Sequence, residues 1–183
     1  RFNGPTRYAT IRPMAAYALT IFTGAFLLFQ VQPLIGKYIL PWFGGGPGVW
    51  TTCMLFFQML LLGGYAYAHF TSRWLKPRTQ AVVHLVLLAA ALALLPITPG
   101  DSWKPHGGGN PTLQILTLLA VSLGLPYFVL STTGPLIQQW FSHARPGQSP
   151  YRLYALSNVG SLPALVSYPF FFETQFTRKA QAG

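Results

Sequence analysis

From Ala15 to Pro41 the chain runs with a single charged residue, Lys37. A helix needs about 20 predominantly apolar residues to cross the hydrocarbon core of a bilayer. This stretch meets that length and so dictates the solvent in which the chain must fold. Yet Phe29-Gln30-Val31-Gln32-Pro33 sets two amides and a proline inside it. Polar groups at that depth are costly unless they face protein or water. The rest of the chain is expected to be organised around this stretch.

Composition agrees. Only 8% of the residues are charged, against about 25% in an ordinary soluble domain. A soluble fold would lack the residues to cover its surface. The 12 Lys+Arg outnumber the 2 Asp+Glu, for a net charge of +10. In a soluble protein that excess would point to nucleic acid. Here the basic residues sit between apolar runs, where they act as topology signals and headgroup contacts. No basic stripe or aromatic platform remains for nucleic acid. Cys53 is the only cysteine, so no intrachain disulfide can form. Its apolar surroundings fit a buried, inert thiol.

The expected fold class is all-α: a polytopic transmembrane helical bundle of about five spanning helices plus a short interfacial helix. The spans cover about residues 14–40, 49–70, 80–97, 112–133 and 151–172. Gly44-Gly45-Gly46-Pro47-Gly48 separates the first two. The uncharged run from Thr112 to His143 is too long for one crossing at about 1.5 Å per residue. Pro126 is expected to kink it and Ser131-Thr132-Thr133-Gly134-Pro135 to end it. Leu136 to Phe141 then form the interfacial helix. The alternative is a broken helix whose halves line a cavity. Residues 1–13 form a basic cytoplasmic segment and residues 173–183 a polar tail. No signal-peptide form is evident at Arg1, since the basic stretch is long and no cleavage site follows a short apolar core.

Eight of the 12 Lys+Arg would lie on the side of the N-terminus, against four on the other. The positive-inside rule then puts the N-terminus in the cytoplasm. Trp42, Trp50 and Trp103 fall at one interface, and Trp74, Trp140 and Tyr151 at the other.

Polar residues recur inside these spans. Thr23, Gln30 and Lys37 are spaced by heptads and share one helix face with Pro33. Gln32 lies beside them. Thr51, Gln58 and Tyr65 repeat the spacing on the second span. On the fifth, Ser157, Ser161 and Ala164 form a small-residue face beside Asn158 and Gly160. Such faces let helices approach closely and hydrogen-bond across the contact, each bond contributing about 0.6 kcal/mol. A helix-packing seam is the reading adopted for Thr23, Gln30, Gln32, Pro33, Lys37, Gln58, Ser157, Asn158 and Ser161. A polar pathway between the first, second and fifth spans is the rival. The carbonyl of Phe29, freed by Pro33, would find its partner in Gln58 or Asn158. Lys37 can snorkel to the headgroups.

His69 and His84 lie near the cytoplasmic ends of the second and third spans. Their ring nitrogens could ligate a haem or another pigment. Neither belongs to a motif, so capping and interfacial hydrogen bonding is the default. His106 and His143 fall on opposite sides, so no metal cluster forms, and no cofactor is expected. Asp101 and Glu173 make no carboxylate pair for acid–base chemistry. The glycine run at Gly44 is followed by no Lys-Ser/Thr and preceded by no strand, so it is not a nucleotide loop. No catalytic residue is assigned.

Five stretches carry a family resemblance. They are Ala25–Ile35 with Ile39–Gly45 and Val49–Gln58, then Ser131–Leu136, then Ser149–Ser161. Together they resemble the N-terminal membrane region of bacterial spermidine-synthase-like proteins, in which membrane helices are fused to an aminopropyltransferase-like domain. The resemblance covers most of residues 15–173. It implies a bacterial inner-membrane location. The Gly-rich strand-loop and acidic residues of such a catalytic domain have no counterpart here, so no enzyme activity is carried over. The expected function is a non-catalytic integral membrane module packing against other membrane subunits or a partner domain. Its partners would be the lipid bilayer and other membrane proteins, with no nucleic acid. The alternatives are an accessory structural subunit of a respiratory or photosynthetic membrane complex and a transporter of a small polar solute.

Overall fold

The computed structural model describes residues 7–97, 99, 100, 103–105, 109–147, 149 and 151–175. Side chains are described from Met14 onward. Among the described residues the chain is helical, with no strand. The helices are α1 (Arg7–Phe43), α2 (Pro47–Trp74), α3 (Pro77–Ala93), α4 (Pro111–Ala144) and α5 (Tyr151–Ser167). A π-helical turn (Tyr168–Phe172) joins α5 to a short α6 (Glu173–Gln175).

Local chemistry sets the boundaries. Gly44, in the left-handed region with φ 85°, turns the chain out of α1 as only glycine does without strain. Pro47, Pro77 and Pro111 open α2, α3 and α4. Proline is preorganised for the first helical position, where its missing N–H costs nothing. Asn110 caps α4, its Oδ1 accepting from the Thr112 N–H at 3.0 Å, which satisfies one orphan donor of the first turn.

Three helical stretches are long and apolar enough to cross a membrane: Met14–Phe43, Pro47–Trp74 and Pro111–Ala144. Helix α3 is apolar but shorter. Length and composition mark three of the expected five spans, α3 and α5 having 17 residues each. The expected basic segment is partly helical, since α1 begins at Arg7; residues 1–6 lie outside the described residues. So do Asp101, His106 and the tail from residue 176 on.

Helix α4 corrects the expectation of an ending near Ser131–Pro135 followed by a separate interfacial helix. It runs unbroken through both Pro126 and Pro135. A proline removes one backbone hydrogen bond and crowds the carbonyl four residues back. In an apolar setting, breaking the helix would expose more unpaired backbone than keeping it. Gly134, lacking Cβ, also relieves the clash a proline makes with the residue before it. Nearby hydroxyls tie themselves to the helix: Ser131 Oγ donates to the Phe128 carbonyl, and Thr132 and Thr133 Oγ1 both donate to that of Val129.

Helix α4, not α1, forms the centre. It packs against α1, α2 and α3, and its Ile115, Leu118, Leu119, Leu123, Tyr127 and Leu136 are at most 1% exposed. They join Leu34, Ile35 and Ile39 of α1 and Phe56 and Phe57 of α2 in one core. Glycines admit two close approaches between helices. A Cβ on Gly64 of α2 would overlap the Ser131 hydroxyl and lie 2.9 Å from the Ser131 carbonyl carbon. A Cβ on Gly160 of α5 would lie 2.7 Å from the Phe22 carbonyl oxygen of α1.

Gly64→Leu and Gly160→Leu are each expected to destabilise the bundle by about 2 kcal/mol through overpacking. Gly45→Ala, with nothing within 4 Å of the added carbon, should be neutral. Thermal unfolding midpoints in mild detergent measure all three.

Candidate functional site

The polar residues of the bundle fall into four groups, each spanning different helices. The first joins α1 to the end of α5. Gln30 Nε2 donates to Ser167 Oγ at 3.1 Å. One helical stretch further, Lys37 Nζ lies 3.0 Å from Glu173 Oε1 and 5.6 Å from the centre of the Tyr168 ring. Lys37 thus has an acid partner as well as a route to the headgroups. The π turn lies between these two contacts, where Pro169 cannot supply an α-helical N–H.

The second group ties α1 to α4. Gln32 Nε2 donates to the Tyr127 hydroxyl at 3.0 Å. Tyr127 is fully buried and its ring packs 4.9 Å from that of Phe57. Pro33 is half-buried one residue on.

The third group holds α3 to its neighbours, and sequence reasoning did not find most of it. Gln80 is 2% exposed. Its Oε1 accepts from the Trp140 indole N–H at 2.7 Å, and its Nε2 donates to Thr71 Oγ1 at 2.9 Å. One turn along, His84 Nε2 lies 3.3 Å from Thr133 Oγ1. The Thr133 hydroxyl also donates to the Val129 carbonyl, which leaves its oxygen able to accept from a proton on His84 Nε2. His84 lines an apolar groove of about 550 Å³ between α1, α3 and α4, with Thr23, Thr133 and Trp140. His69 stands on the exposed face of α2, its ring edge-on to Phe70. The two histidines are therefore not joined across one groove. Among the described residues, no group of three His, Cys, Asp or Glu side chains converges as a metal site would require.

The fourth group surrounds a cavity of about 210 Å³ between α1, α2, α4 and α5, lined by Tyr65, Gln138, Ser157 and Asn158 among apolar neighbours. Ser161 instead turns back to its own helix, donating to the Asn158 carbonyl. The close contact of α5 with α1 is made by Gly160 and Ala164, both buried, rather than by the serines.

The expected faces are thus only partly kept together. Gln30 and Lys37 both meet the α5–α6 stretch, whereas Thr23 is exposed at the α3 groove. Gln58 is exposed on α2, and neither it nor Asn158 hydrogen-bonds the Phe29 carbonyl. The polar pair Gln80 and His84, four apart at the head of an apolar run, was the available signal for the third group. Gln138 carried a weaker one, a lone amide within an apolar run.

No known family model matches the chain, and neither does any curated protein or solved structure.

Gln80→Leu is expected to cost about 1–3 kcal/mol, because it strands the half-buried Trp140 N–H beside a buried position. Adding Trp140→Phe to Gln80→Leu should cost less than the sum of the two single changes, since the stranded donor is then gone. A double-mutant cycle on detergent-solubilised protein checks this.

Proposed function

We propose that the chain is a non-catalytic integral membrane module that packs against other membrane subunits or a partner domain. The observation that carries this reading is Gln58. It sits about 17 Å along α2 from Pro47, is exposed, and has no hydrogen-bond partner among the described residues. An amide facing hydrocarbon at that depth is costly. A polar or small-residue helix of another membrane polypeptide would satisfy it. Thr51, on the same face, is satisfied by its own helix through the Pro47 carbonyl, which leaves Gln58 as the group in need.

In this reading α3 and α5 also cross, giving about five spans. Helix α3 carries Val82, Leu85, Val86 and Leu92 on exposed faces, and α5 carries Leu162, Val166 and, beyond it, Phe170. Arg73, Lys76, Arg78, Arg145 and Arg152 then fall at one end of the bundle, with Lys37 and Lys104 at the other. That bias supports a cytoplasmic N-terminus in a bacterial inner membrane. The resemblance to the membrane region of spermidine-synthase-like proteins supports the same kind of module.

The test is mass. In mild detergent, native mass spectrometry of protein purified from its own membrane should give an assembly larger than the 20.2 kDa chain. Gln58→Leu should reduce that assembly by about tenfold. A wild-type protein that runs as the lone chain contradicts the proposal.

A further inference from the structure

The cavity between α1, α2, α4 and α5 is lined by Gln138, Ser157, Asn158 and Tyr65, side chains with no hydrogen-bond partner among the described residues. We propose that it is a hydrated pocket that binds small uncharged molecules carrying both hydrogen-bond donors and acceptors.

Gln138 carries the inference. It is 9% exposed and lines the cavity. Its carboxamide has no partner among the described residues, and only its backbone carbonyl is engaged, by Ser142. Gln30, Gln32 and Gln80 each bond another helix, whereas Gln138, though only 9% exposed, does not. A buried amide left without a partner destabilises the fold. The side chains of Ser157, Asn158 and Tyr65 also line the cavity and also lack partners among the described residues.

Water enters a cavity that is both polar and roomy enough. At about 210 Å³, this one has room for several waters. Two carboxamides and two hydroxyls each donate and accept. No charged side chain lines the cavity, so an ion would enter without a counter-charge. A neutral amide- or polyol-like solute matches the lining. Gln138 lies about 9 Å from the end of α4, and Ser157 about 9 Å from the start of α5. The cavity is therefore nearest the end that carries Arg145 and Arg152. Helices α2 and α5 make no extended contact, which leaves the cavity reachable between them. None of this requires a partner at Gln58.

Iodoacetamide is a suitable probe, being itself a small uncharged amide. The protein is reconstituted in vesicles with Cys53→Ala, which removes the only native thiol, and carries Ser157→Cys. Its alkylation is followed by intact mass. The rate should exceed that of Val159→Cys, 56% exposed on another face of α5, by about tenfold, since a thiolate forms readily only where water reaches it. Asn158→Cys provides a second reporter. Gln138→Leu should slow the Ser157→Cys reaction about tenfold, in protein that still elutes as a single species. Excess acetamide should slow it about twofold or more by occupying the pocket. Equal rates at positions 157 and 159, or no effect of Gln138→Leu, overturn the hydrated pocket. Fast alkylation that acetamide does not slow overturns ligand binding.

Discussion

A polar group that leaves water must find a partner inside the protein, and in this chain that requirement organises the helices. Three helical stretches are long and apolar enough to cross a membrane, where backbone and side-chain polar groups have no solvent to fall back on. Gln30 reaches Ser167, Gln32 reaches Tyr127, and Gln80 bridges Thr71 and Trp140. Each of these bonds joins two different helices, so pairing the groups also fixes which helices are neighbours. The same requirement keeps α4 helical through two prolines.

Helix α4 is the strut on which the others are mounted. Its apolar side buries Leu118, Leu119 and Leu123 completely, and its polar positions hold α1, α2 and α3. Glycine governs how closely the helices approach. Gly64 brings α2 against Ser131, and Gly160 brings α5 against Phe22. Without hydrophobic driving force between helices in lipid, such close packing and interhelical hydrogen bonds carry the association. At Gln58 and around Gln138, where side-chain amides have no partner among the described residues, the bundle has surface or space left for something else.

Much of the fold was legible in the residues. The glycine run at Gly44 and the helix-opening prolines Pro47, Pro77 and Pro111 mark the boundaries closely. The continuity of α4 was not legible, because Pro126 and Pro135 stop helices in water but are tolerated where broken backbone would stay unpaired. The heptad spacing of Gln30 and Lys37 did identify residues that share a neighbour. It could not name that neighbour, since Ser167 and Glu173 lie more than 130 residues away in sequence. Spacing alone also gave Gln58 and Asn158 inward roles, whereas both are exposed. Gln80 went unremarked because a polar residue beside Arg78 and Thr79 at the start of an apolar segment looks like an interfacial one until its partner on α4 is known.

The central claim is that α4 is one unbroken strut, and a single distance tests it. Spin labels at Leu113 and His143, both exposed, mark its two ends in a background without Cys53. Pulsed electron–electron resonance should then give a separation near 45 Å, as expected at about 1.5 Å per residue for a continuous helix. A separation of about 35 Å would mean that the helix ends near Pro135 and its last turns lie across it, and it would contradict the account.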